Sequence, residues 1–125
     1  MSLPDMPTTR ARHGLFRLTL AIVAAIASYI VASQVISFAQ NRAMHAVTVG
    51  TTEGRARASF WFTPEPETAN HPGPAAGFAV ESTRCTRPCV LRLWWVHPLL
   101  PGLEAWTVDI DKDDKVIGRS HWSSP

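Results

Sequence analysis

The chain has 125 residues, 46% of them hydrophobic and 18% charged, with ten prolines, five tryptophans and two cysteines. It is long enough for one small domain, too apolar to be disordered, and too poor in cysteine for a disulfide-dense scaffold or a four-cysteine zinc module. The net charge of +2 resides in the N-terminal arm, residues 1–17, where Arg10, Arg12 and Arg17 outnumber Asp5. The nine basic and nine acidic residues that follow cancel, which excludes a basic body of the kind that binds nucleic acid.

Leu18–Ala39 contains 22 residues with no charge, ten of them Leu, Ile, Val or Phe. As a helix it rises roughly 33 Å, a little more than a hydrocarbon core of about 30 Å. Its apolar side chains favour insertion by roughly 3–6 kcal/mol, reduced by Gln34 and the hydroxyl residues. The expectation is a single transmembrane helix over residues 18–39. Arg10, Arg12 and Arg17 precede it and only Arg42 follows closely, which sets the N-terminal arm in the cytoplasm and residues 40–125 outside, the periplasm in a bacterium.

The alternative for the same stretch is a cleaved signal peptide. Ser37-Phe38-Ala39 has the small-x-small form of a cleavage site, although Leu18–Ser33 slightly exceeds the usual apolar core of about 7–15 residues. Along the helix Ala24, Ser28 and Ala32 recur at spacing four, an arrangement that lets a second helix approach closely. They form a candidate helix-packing face, with Tyr29 a second sign of a protein-facing side because its hydroxyl needs a partner.

Gln40–Ala46 reads as a short polar joint. His45–Gly50 and Ala56–Phe62 have the β-branched and aromatic content of strands, with Thr51–Arg55 as a connection between them. A Pro-rich loop follows over residues 63–77, in which Glu65, Glu67 and His71 read as solvated groups. Phe78–Glu81 is a short candidate strand. Val90–Val96 is the strongest strand candidate in the chain, ended by Pro98 and Pro101. Glu104–Asp111 and Val116–Trp122 flank an Asp/Lys turn and predict a hairpin, since Trp106, Val108 and Ile110 alternate with polar residues. The fold class expected is therefore one N-terminal transmembrane helix plus a small β-rich exported domain, all-β or α+β, with five or six strands.

Cys85 and Cys89 are the only cysteines, and a pair in an exported domain predicts a disulfide. Closing so small a ring stabilises by only about 2 kcal/mol, so its effect is local. A CxxxC pair after an anchor also resembles the copper-delivery proteins of cytochrome oxidase assembly, at these two residues alone. That resemblance implies thiol-dependent copper handling, since soft thiolates suit Cu(I). Asp109, Asp111 and Asp113 match the start of a calcium loop, but Asp114 stands where that loop needs Gly and Ser120 where it needs Glu. No nucleophile elbow, phosphate loop or metal-binding histidine pair occurs, so neither catalysis nor a cofactor is expected.

Trp94 and Trp95 are adjacent in a strand candidate and must point to opposite faces. One enters the core; the other covers the second face, meets a partner, or rests at the membrane interface. With Leu99 and Leu100 they form the candidate partner surface. The function expected is that of a membrane-anchored accessory subunit of an envelope complex, without catalysis of its own, whose partners are the bilayer and another membrane or envelope protein. The alternatives are a signal-cleaved secreted or periplasmic binding domain and, third, a copper-handling protein.

Overall fold

The computed structural model describes residues 9–74 and 84–123. The candidate strand Phe78–Glu81 and the residues of the N-terminal arm before Thr9 lie outside them. The chain divides into two units, one ending at Ala32 and one beginning at Ser33.

Thr9–Ala46 is one α-helix of 38 residues, α1. The stretch contains no proline and only Gly14 among the weak helix formers of that kind, so nothing interrupts it. The expected joint at 40–46 is thus helical, because Gln40 and Ala43 are buried as the next turns of the same helix. At its end the Arg119 guanidinium donates to the carbonyls of Met44 and Val47, satisfying acceptors that a helix C-terminus leaves open. A turn through Gly50, at φ 94°, then reverses the chain.

Glu53–Ser59 forms a second helix, α2, where the sequence predicts part of a strand. The Thr52 hydroxyl accepts from Arg55 N at 3.4 Å, and Arg57 pairs with Glu53 one turn earlier at 2.9 Å. These local contacts, with Ala56 buried against the core, outweigh the β propensity of the aromatics that follow. His45–Gly50 is likewise the end of α1 and a turn.

Four antiparallel strands make one sheet in the order β1-β2-β3-β4: β1 Glu65–Glu67, β2 Leu91–Val96, β3 Glu104–Ile110 and β4 Val116–Ser123. Four is the number among the described residues, against the five or six expected. β2, β3 and β4 fall where the sequence predicts them. β1 arises inside the Pro-rich stretch and sits at the sheet edge, where Pro66 is tolerated without a ladder donor. The β3–β4 turn is tied by Asp111, whose carboxylate accepts from Asp113 N at 2.9 Å and Lys115 N at 3.0 Å. This use as a turn cap explains the acidic spacing that mimics a calcium loop.

Leu93 and Trp95 on β2, Trp106, Val108 and Ile110 on β3, and Val116 on β4 form the core with Ala43, Val47, Ala56 and Phe60. Phe60 stacks on Trp95 with ring centroids 4.0 Å apart. The opposite sheet face carries Trp94 and Ala105, flanked by Val96 and Trp122. A long apolar N-terminal helix and a small antiparallel sheet are therefore present, as the uncharged run and the alternating pattern predict.

Candidate functional site

In the first unit the apolar side chains of α1 face outward. Every large one from Leu15 to Val31 is at least 46% exposed, and the most apolar window has a mean hydropathy of 2.1 with none of it buried. Thr19 donates to Leu15 O at 2.9 Å, so its hydroxyl is satisfied inside the helix. Ala24 and Ser28 are exposed and Ala32 half-buried. Arg10, His13, Gly14 and Arg17 line a shallow recess near the start of the helix.

In the second unit one side of α1 is buried while Val35 and Phe38 stay exposed. From Ser33 onward α1 offers polar groups to the sheet, one per turn. The buried His97 ring accepts from Leu99 N and Leu100 N at 3.1 Å through Nδ1. Backbone N–H groups can only donate, so the ring proton sits on Nε2, which donates to Ser33 O at 3.0 Å. Ser37 donates to Glu104, whose other oxygen meets His121 Nε2 at 3.1 Å. Here the carboxylate lies between hydroxyl and imidazole, whereas an activated nucleophile needs the imidazole against the hydroxyl. Trp106 Nε1 donates to Asn41 Oδ1 at 2.8 Å, and its ring stacks on His121 at 5.4 Å.

Gln40 is fully used. Its amide oxygen accepts from Trp61 N at 2.8 Å and its amide nitrogen donates to Trp61 O at 3.2 Å. One residue on, Trp95 Nε1 donates to Phe62 O at 3.2 Å. Phe62 has φ 67°, a left-handed conformation that costs a bulky residue about 1–3 kcal/mol. Three hydrogen bonds thus hold a strained backbone, and the result is that Trp61 and Phe62 point outward, 48% and 55% exposed. Beside them Val35, Phe38, Ala39 and Arg42 on α1, with Ser59 and Trp61, wall an open groove of about 500 Å³. Phe38 is 69% exposed.

The far sheet face is closed by β1 and the chain after it. Glu67, read from sequence as solvated, is buried; it accepts from Trp94 Nε1 at 2.9 Å and from Cys85 N at 2.6 Å. Gly73 crosses Trp94 so closely that a Cβ there would lie 2.6 Å from the indole nitrogen, which only glycine avoids. Arg92 pairs with Asp109 through Nε at 2.6 Å and Nη2 at 3.1 Å. Burial disfavours that guanidinium's charge, but the Asp109 hydrogen bond and charge, with Glu67 behind them, more than offset it and hold its pKa above the ordinary value.

Trp94 and Trp95 do point to opposite faces, yet both are inside the fold, 1% and 2% exposed. Neither offers a surface to a partner, because α2 with Phe60 covers one and Glu67 with Gly73 covers the other. Leu99 and Leu100 are half-buried around His97. In the second unit the exposed aromatics among the described residues are Phe38 on α1 and Trp61 and Phe62, the last two in a segment whose sequence predicts a strand. A Phe-Trp-Phe run just after a capped helix was the available signal. Cys85 and Cys89 stand at disulfide distance, with sulfurs 2.18 Å apart. Among the described residues no three His, Cys, Asp or Glu side chains converge on a point that could hold a metal.

No family model, no curated protein and no solved structure matches this chain.

Proposed function

We propose that the chain is a single-pass membrane protein, N-terminus cytoplasmic, whose folded unit acts outside as an accessory or interaction subunit of an envelope complex, without chemistry of its own. The observation that carries this reading is the outward-facing apolar surface of α1 through Val31. Burying a Val, Leu, Ile or Phe side chain is worth roughly 1.5–3 kcal/mol, and nine such side chains from Leu15 to Val31 stay uncovered by the chain itself. A bilayer supplies the missing apolar surroundings. Ala24, Ser28 and Ala32 then give that helix a side on which a neighbouring membrane helix can seat.

The packing of α1 favours retention of the helix over cleavage as a signal. A cut after Ala39 removes Ser33, the partner of His97, along with the buried Ile36 and the Ser37 hydroxyl bound to Glu104. The remaining unit loses part of its own interior. The test is expression of the whole chain followed by alkaline extraction and N-terminal sequencing. The expected result is an uncleaved chain that stays with the membrane, with residues 40–125 digested by protease added from the outer side. A chain released by alkaline washing, or beginning at residue 40, overturns the anchor.

A further inference from the structure

We infer that Phe38, Trp61 and Phe62, with Arg42, form a seat for phospholipid, so that this edge of the folded unit lies in the headgroup region of the bilayer with the Arg42 guanidinium against a lipid phosphate. The inference rests on the membrane reading above and adds to it a second contact, made by the folded unit rather than by the span.

Four observations lead to it. The aromatic pair is built for exposure: Gln40 holds Trp61 through both its backbone N–H and its carbonyl, Trp95 holds the Phe62 carbonyl, and Phe62 is left in a left-handed conformation. Hydrogen bonds from the buried Gln40 and Trp95 side chains hold that backbone in place. Second, the groove shares its wall with the predicted span. Val35, Phe38 and Ala39 belong to both, so Trp61 sits where the apolar segment gives way to polar sequence. Third, the chemistry is that of an interfacial belt, where an indole keeps its ring among acyl chains and its N–H among headgroups. Fourth, Arg42 is exposed and the groove wall contains no carboxylate, so the local charge suits an anion. A water-facing protein partner would not require the patch to coincide with the end of the span.

The experiment uses the full chain in vesicles of phosphatidylcholine with a phosphatidylglycerol fraction, reading tryptophan emission. Trp94, Trp95 and Trp106 are buried and Trp122 is half-buried, so Trp61 is the most exposed of the five indoles and Trp61→Phe identifies its share. Lipids brominated near the headgroup are expected to quench the Trp61 share and shift its emission to the blue. Gln40→Ala, which frees the 61–62 backbone, is expected to lose much of that quenching with the sheet's circular dichroism retained, and Arg42→Gln to lose the preference for the anionic lipid.

If the chain floats with vesicles while Trp61 is quenched by aqueous iodide and untouched by bromolipid, the seat is wrong and the anchor stands. Shielding from both quenchers, with crosslinks from position 61 to a second copy, also overturns it in favour of self-association. A chain that does not float removes the anchor, and the seat falls with it.

Discussion

One helix contains two opposite solutions to burial. Between Leu15 and Val31 its large apolar side chains face outward, and from Ser33 to Met44 it turns serine, glutamine, asparagine and backbone carbonyls inward. In water the first arrangement is unfavourable and the second is ordinary only if every polar group finds a partner. The inward groups do find partners: His97, Glu104, Trp61, Trp106 and Arg119 answer them in turn. Under the membrane reading proposed above, a bilayer surrounds the outward groups. A polar helix face inside a small fold also resists dissolving into lipid, since leaving the sheet would strand those hydrogen bonds. From Ser33 one side of α1 is thus committed to the folded unit, while Val35 and Phe38 on the helix stay exposed.

The sharpest way to break this comparison is to truncate one large side chain that the folded unit buries and one that α1 leaves outward. Trp106→Ala removes a fully buried indole that packs in the core and anchors Asn41, and is expected to destabilise the folded unit by about 3–5 kcal/mol. Ile26→Ala, in the outward half, is expected to change stability by less than about 0.5 kcal/mol. Urea unfolding of the full chain in mild detergent, followed by tryptophan emission, measures both. Comparable losses from the two would mean that the outward face is packed on protein after all.

A second variant asks whether inward polarity is confined to the helix. Glu67 plays the same part on the other sheet face, where it serves Trp94 Nε1 and Cys85 N at once. Glu67→Ala strands two buried donors and is expected to cost about 2–4 kcal/mol. Glu65→Ala, two residues away and exposed at the start of β1, is expected to fall within about 0.5 kcal/mol. The same unfolding experiment separates them, and equal effects would refute the assignment of Glu67 as a buried acceptor.

These two regions also show what was legible in the residues beforehand. The apolar run and the β2–β4 strands are written locally, as an uncharged stretch and as period-two alternation in Trp106, Val108 and Ile110. Glu67 is not, because its partners lie 27 and 18 residues away and its neighbours are prolines that resemble a solvated linker. Gln40 is hidden for the same reason: nothing near it announces that its amide will hold the backbone 21 residues on. The aromatic run Phe60–Phe62 misleads in the opposite direction. Its β propensity outweighs, on paper, a helix of seven residues too short to show its period, while Thr52 and the Glu53–Arg57 pair decide the structure. The candidate seat became visible only once Phe60 went in and Trp61 and Phe62 stayed out.

The smallest expected effect lies at the far end of the fold, where the start of α2 meets the β3–β4 turn. A hydrogen bond with Glu53 first, then desolvation and the Glu53 charge, hold the Asp114 carboxyl above the usual carboxylate range, with Lys115 pulling the other way and Asp111 adding to the rise. Because the folded-state value is the higher one, the favourable contribution is complete below the unfolded pKa of about 3.9 and disappears as pH rises through the folded value. Above that value the Glu53 charge disfavours the ionised Asp114 carboxylate. Asp114→Asn is therefore expected to raise the melting temperature slightly at pH 7, and the gain should vanish near pH 3, where the native side chain carries its own proton. Asn suits the left-handed conformation at this position, φ 63°, so the backbone gives a pH-independent background to subtract. A gain of equal size at both pH values would assign the whole effect to that background and remove the charge repulsion between α2 and the turn.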